Sequence, residues 1–129
     1  MKHCGTQRLE TNRLVLRRYV NEDAVAMYKN WASDEEVTKF LMWPAHSDQE
    51  ISQRVIEDWV NQYSHENYYH WAITLKENGT EPIGDIAVVN MKEEISVVHI
   101  GYCIGRTWWH RGITSEALKA VMGFMFDVV

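Results

Sequence analysis

Apolar and polar positions change period several times along the chain, and each change marks an element. Arg13 to Tyr19 reads as a strand: Leu14 and Leu16 alternate with Val15, Arg17 and Tyr19, so both faces are partly apolar. Asn21 is placed as the N-cap of a helix, with Glu22 and Asp23 in the first turn, where carboxylates complement the helix dipole. Ala24, Met27, Tyr28 and Trp31 follow one face of that helix. Ser33 and Glu36 have capping-box spacing for a further short turn, which Met42-Trp43-Pro44 ends because the residue before a proline is driven out of the helical region. Ser47 and Glu50 repeat the spacing ahead of an amphipathic helix. There Ile51, Val55, Trp59 and Tyr63 recur every four residues with Ile56 and Val60 beside them, and Gln53, Glu57, Asp58 and Asn61 form the polar face.

The period then becomes two. Tyr69, Trp71, Ile73 and Leu75 share one strand face, opposite Tyr68, His70, Ala72 and Thr74. Asn78-Gly79 is a hairpin-turn signal, and Ile83 to Val89 is the returning strand. Asn90 to Glu94 reads as the next turn. Ile95 to Ile104 is a fourth strand, apolar nearly throughout as central strands are. Arg106 to Ile113 is irregular. Thr114 or Ser115 opens a last helix containing Ala117, Leu118, Val121, Met122, Met125 and Phe126, with Ala120, Phe124 and Val128 on its other sides. A helix apolar nearly all round is expected to be sandwiched.

Length and composition narrow the class. The 129 residues are 46% hydrophobic and 24% charged, one domain's worth of material, and six Trp, six Tyr and three Phe exclude a disordered chain. No internal repeat, low-complexity stretch or linker interrupts it. No apolar run approaches the ~18 residues a membrane span needs, and Met1 to Gly5 leads into polar residues rather than a signal region. Cys4 and Cys103 are too few for a disulfide framework and read as free thiols of a reducing, cytoplasmic compartment. Thirteen basic against eighteen acidic residues, a net charge of −5, argue against nucleic acid or another polyanion as the partner.

The segment richest in chemistry is Gly101 to Leu118, a strand, a loop and a helix start. A helix N-terminus presents N–H groups without internal partners at the positive end of its dipole, which suits a phosphate. Gly112 lets the backbone approach a ligand closely, and Arg111 adds charge. An ordinary strand-to-helix connection is the competing reading. The segment is neither a Walker loop, lacking the glycine-lysine-serine/threonine ending, nor a dinucleotide fingerprint, having one glycine at the turn.

Trp109-His110-Arg111-Gly112-Ile113-Thr114 resembles the acetyl-CoA motif of the GNAT (GCN5-related) N-acetyltransferases. Ser115-Glu116-Ala117-Leu118 resembles the Thr-Glu-Ala that follows it in the branch containing the ribosomal-protein N-terminal acetyltransferases. Leu9 to Arg17 resembles that branch's opening strand, and Gly84-Asp85-Ile86 and Ile100-Gly101-Tyr102 its third and fourth strands. The order of elements matches from Leu9 to Val129. The resemblance implies an α/β fold of the acyl-CoA N-acyltransferase type, a mostly antiparallel sheet flanked by helices, with residues 1–129 as the N-terminal portion of one such domain.

It also implies acetyl transfer from acetyl-CoA to a primary amine, either a protein N-terminus or a small-molecule amine. Backbone N–H groups of His110 to Ser115 would hold the pyrophosphate, with Trp109, Arg111, Gly112, Ile113 and Thr114 in the motif. Cys103 and Ile104 would hydrogen-bond the pantetheine through main-chain atoms. Trp109 and Thr114 depart from the usual Gln or Arg and small residue. His99 stands where many members carry an acid and is the candidate for accepting a proton; a structural strand histidine is the alternative. Trp43 and Asp85 are candidates for facing the acceptor amine. The family continues beyond the third helix with a fifth strand, a helix and closing strands. The apolar fourth strand and last helix are therefore expected to seek a partner, as a homodimer or an element-swapped assembly. A non-catalytic CoA-binding remnant and an assembly-dependent half of a transferase are the competing functions. No metal is expected, since His99 and Cys103 share a strand face with no further ligands at suitable spacing.

Overall fold

The computed structural model describes residues 2–39, 41, 43–79, 81–92, 94 and 97–129. Five antiparallel strands form one sheet in chain order: β1 (Leu9–Glu10), β2 (Leu14–Arg17), β3 (His70–Leu75), β4 (Pro82–Lys92) and β5 (Val97–Ile104). Between β2 and β3 lie α1 (Ala24–Met27), a π-helical turn (Tyr28–Ala32), α2 (Glu35–Thr38) and α3 (Gln49–Gln62); α4 (Ile113–Asp127) follows β5. The α/β architecture expected from the sequence is present, with one two-residue strand more, so that the fourth predicted strand is β5.

The alternation in β3 divides the core. Tyr69, Trp71, Ile73 and Leu75 point to α4, where they meet Leu14, Leu16, Ile86, Ile113, Ala117, Val121, Phe124 and Met125. On the other face Ala72 joins Tyr19, Met27, Trp31, Val37 and Ile56 from the α1–α3 layer. Trp31 and Trp71 are wholly buried. Trp59 is half-buried and lies across the Tyr19 and His70 rings, with centroids 5.0 and 4.4 Å away.

Four helix starts differ from expectation, each for a local reason. Val20, not Asn21, precedes the first turn, and its N–H donates to Asp23 Oδ2 at 2.8 Å. Arg17 grips the same carboxylate through two 2.9 Å bonds, so Asp23 joins β2 to the helical layer. Asp34 and Asp48 cap α2 and α3, accepting from Glu36 N and Ile51 N. The hydroxyl of Ser33 is instead turned back to Tyr28 O at 2.6 Å, closing the π turn. Helix α4 begins at Ile113 behind Gly112, whose φ of 72° needs no Cβ to be accommodated.

Two strand expectations are corrected. The Asn90–Glu94 turn is strand as far as Lys92: Asn90, Met91 and Lys92 pair with His99, Val98 and Val97, after a bulge that leaves Val89 outside the ladder. Strand β5 is not central but is the last strand of the sheet, and α4 is not sandwiched. Met122, Phe126 and Val128 are 42%, 63% and 53% exposed, and with Val97, Val98, Ile100, Tyr102 and Leu118 they leave an open apolar flank. The expected ends at Met42 and Ile95 lie outside the described residues. The Asn78-Gly79 reversal is present, with a 3₁₀ turn over Lys76–Asn78 and Gly79 at φ 71°. No described helix is long and apolar enough to cross a membrane, and Cys4 and Cys103 are free thiols.

Gly84 sets how closely β5 approaches β4. A Cβ there would stand 2.5 Å from Cys103 O and 3.0 Å from Ile104 Cα, backbone that has no rotamer to retreat into. Gly84→Ala is expected to lower stability by about 1–3 kcal/mol, measured as a drop in urea midpoint.

Candidate functional site

The site is built where β5 runs out into α4. Gly105 N donates to Ile83 O at 2.8 Å. Antiparallel alternation then makes Asp85–Cys103 a hydrogen-bonded pair and turns the main-chain groups of Tyr102 and Ile104 to the outer edge. Cys103 therefore meets the site with its side chain rather than its main chain. The Ile104 carbonyl already accepts from Trp109 Nε1 at 2.9 Å, which folds the indole over the end of the strand. Beside this edge lies a groove of about 380 Å³ lined by Val37, Leu41, Tyr102, Cys103, Ile104, Trp109 and Thr114. Its α2 wall is tied to the β5 exit by Arg106, which bonds both oxygens of Asp34 at 3.0 and 3.2 Å.

At the end of the groove the chain turns through two left-handed residues, His110 (φ 66°) and Gly112 (φ 72°). Among the described residues no side chain caps α4, and the first N–H to enter its ladder is that of Glu116, on Gly112 O. The N–H groups of Ile113, Thr114 and Ser115 have no helical acceptor by geometry, and they carry the positive end of the dipole. Concave arrays of this kind bind anions. Arg111 is exposed beside them.

Sequence reasoning missed what fixes this helix start. Glu116 turns its carboxylate away from the N-terminus to accept from the Thr11 hydroxyl, Arg13 N (3.0 Å) and Arg13 Nε (2.7 Å). Arg13 Nη1 also donates to Arg111 O at 2.8 Å. Burial pushes the Glu116 carboxyl up, but the bonds from Thr11 and Arg13 outweigh it and hold it below the ordinary range.

A second cluster lies on the other face of β4. Asp85 Oδ1 accepts from the Tyr19 hydroxyl at 2.5 Å and is bonded to His70 Nε2. The Tyr68 hydroxyl meets His70 Nδ1 at 2.6 Å, and Tyr63 donates to His70 O and accepts from Tyr19 N. Burial first, and Asp85 second, push the Tyr19 phenol and the Cys103 thiol well up. The available signal was the alternation itself: Tyr68 and His70 share a face of a strand whose six residues are all buried, opposite a mid-strand aspartate. His99 is set apart, exposed opposite Asn90 and about 13 Å along the strand from Cys103. Trp43 lies against His46 at a tilt, centroids 4.8 Å apart, and packs on the α1–α3 core rather than lining the groove.

The profile of the acetyltransferase (GNAT) domain matches residues 13–129. The chain belongs to the GNAT acetyltransferase family. It is 33% identical over 119 residues to the uncharacterized N-acetyltransferase p20 of Bacillus licheniformis, covering 92% of this chain and 65% of that protein. It thus spans less than two thirds of that relative's length. A GNAT-family acetyltransferase of Bacillus anthracis superposes with a TM-score of 0.76 at 18% identity, covering 93% of this chain and 66% of that one. RimL, a ribosomal L7/L12 alpha-N-protein acetyltransferase solved in complex with coenzyme A, superposes with a TM-score of 0.74 at 18% identity. That match covers 90% of this GNAT chain and 66% of RimL.

The depressed Glu116 contributes stability that is fully present above the ordinary carboxyl value of about 4.3 and is lost as pH falls through its lower folded-state value. Glu116→Gln is therefore expected to reduce unfolding free energy at pH 7 by about 1–3 kcal/mol, and the gap to the parent should narrow in denaturant titrations at acid pH.

Proposed function

We propose that this chain binds acetyl-CoA and transfers the acetyl group to a primary amine, a protein N-terminus or a small-molecule amine. The observation that carries the reading is the alignment of two features: an uncapped helix N-terminus and the outward-facing edge of β5 share one groove. The family and the coenzyme A complex of RimL support it.

The pyrophosphate sits on the N–H groups from His110 to Ser115, with Arg111 adding charge. Gly112 and His110 supply the left-handed turns that point those groups one way. The pantetheine arm runs along the outer main chain of Tyr102 and Ile104, between Trp109 and Thr114 on one side and Val37 and Leu41 on the other. The Cys103 side chain forms the floor. Bound there, acetyl-CoA supplies the activated acyl group, and the protein's contribution is mainly positioning. Asp85, across the ladder from Cys103, faces the amine side. His99 and Trp43 are left out on grounds of distance and packing, and we place the protein in a reducing, cytoplasmic compartment because both thiols are free.

Calorimetric titration of acetyl-CoA into the chain tests this, with adenosine and dephospho-CoA as controls. Saturable binding is expected, weakened at least about tenfold in Gly112→Val, where a β-branched residue is forced to φ 72°. A folded chain that binds no acetyl-CoA overturns the reading; binding without turnover of any amine reduces it to a CoA-binding module.

The open edge of β5 from Val97 to Ile100, beyond the part given to the pantetheine, and the apolar flank of α4 support a second copy of this chain as partner, paired edge to edge about a two-fold axis. Sedimentation is expected to show a dimer that Met122→Lys with Phe126→Glu dissociates; a monomer at ~100 μM, far above the dissociation constant of a stable dimer, sinks the idea.

A further inference from the structure

Proton positions in the Asp85 cluster can be assigned. Burial pushes the Tyr19 and Tyr68 phenols up, so both keep their protons. A carboxylate oxygen only accepts, so His70 Nε2 carries the N–H that donates to Asp85 Oδ1, and the protonated Tyr68 hydroxyl is placed to donate to Nδ1. Tyr19 gives that oxygen a second donor. Oδ1 is taken twice over. The carboxylate's remaining capacity is at Oδ2.

Exposure follows the same division. The His70 side chain is 6% exposed and that of Asp85 19%. Asp85 and Cys103 are directly paired, so their side chains leave the same face of the sheet about 5 Å apart, and Cys103 lines the groove. A buried imidazole and a phenol thus hold one oxygen of a carboxylate whose side chain keeps some exposure and whose ladder partner, Cys103, lines the groove.

We propose that Asp85 is the proton acceptor of the acetyl-acceptor site, and that the acceptor is an aliphatic amine which arrives as its ammonium and docks on Asp85 Oδ2. His70 and Tyr19 are positioning residues, and Tyr68 fixes the imidazole tautomer. This rests on the acetyl-transfer reading above.

The ammonium nitrogen gives one proton to Asp85. Its freed lone pair attacks the thioester carbonyl carbon, the C–N bond forms and the C–S bond breaks. The nitrogen's second proton goes to the sulfur, which leaves as the thiol, and Asp85 returns its proton to water as the amide departs. An arylamine, already neutral at the assay pH, has no ammonium proton to surrender and does not need Asp85.

The test compares benzylamine, cationic at neutral pH, with p-anisidine, neutral there, by following release of free CoA thiol. Asp85→Asn is expected to lower kcat/KM for benzylamine about 100-fold and to leave p-anisidine within about threefold. His70→Gln should lower kcat for benzylamine about tenfold with the KM for acetyl-CoA unchanged. Equal losses for both amines, or none for either, overturn the proposal, the first because it marks a role in folding alone. Acetyl-CoA binding with no turnover of benzylamine also overturns it while leaving the donor site standing. If acetyl-CoA does not bind, the reading of the function fails first. The unliganded protein still decides the network, because ¹⁵N spectra must show His70 as the Nε2–H tautomer. Protonation on Nδ1 overturns the arrangement.

Discussion

Glu116 accepts from Thr11 and twice from Arg13, and that small cluster decides where α4 begins relative to the sheet. The helix could start three residues later on propensity alone, since Ser115 is a better cap than Gly112 in isolation. The clamp wins because Arg13 also holds Arg111 O and so fixes the backbone on both sides of Gly112. A carboxylate in the first turn would ordinarily satisfy the helix's own N–H groups. Here it is drawn outward by three donors, and the N–H array stays available. The array is not filled by its nearest carboxylate because that carboxylate has been given other partners.

The opposite face of the sheet shows the same economy. Tyr19, Tyr63, Tyr68, His70 and Asp85 form a chain in which each hydroxyl and ring nitrogen has a partner. Such a network rigidifies a core when it is complete. Arg17 and Asp23 continue it toward α1, so β2, β3 and β4 are cross-linked to the helical layer by side chains of high directionality. Asp85 and Tyr68 are the members of the chain that are not fully buried, and Asp85 is the one across the ladder from Cys103 in the groove.

Much of this was legible beforehand. The alternation from Tyr68 to Leu75 assigned both faces of β3 correctly, and the segment from Trp109 to Ser115 marked the strand-to-helix turn. What escaped has a common cause. Ser33 and Ser47 are as suited to capping as Asp34 and Asp48, and what separates them is made only in the fold: Ser33 bonds back to Tyr28 O across the π turn, while Asp34 and Asp48 accept from Glu36 N and Ile51 N. Thr11, Arg13 and Glu116 are more than a hundred residues apart at their ends, so no local pattern joins them. The hydrophobicity of β5 suggested a central strand, yet in this chain it is the last of the sheet, because period and burial say nothing of how many neighbours a strand has. His99 was singled out by a resemblance in position along β5, while the bulge at Val89 and the register decide what it faces.

That bulge also divides the longest hairpin mechanically. Up to Val88 and Ile100 the two strands keep one register, and beyond Asn90 and His99 they keep another, offset by a residue, with Val89 67% exposed between them. A change of length or sequence in the outer part is absorbed where the ladder is already broken. It does not slide Asp85 past Cys103, a slip that would turn every side chain on the inner part to the wrong face. A disturbance in the outer register therefore leaves the pairing of Asp85 with Cys103 in step.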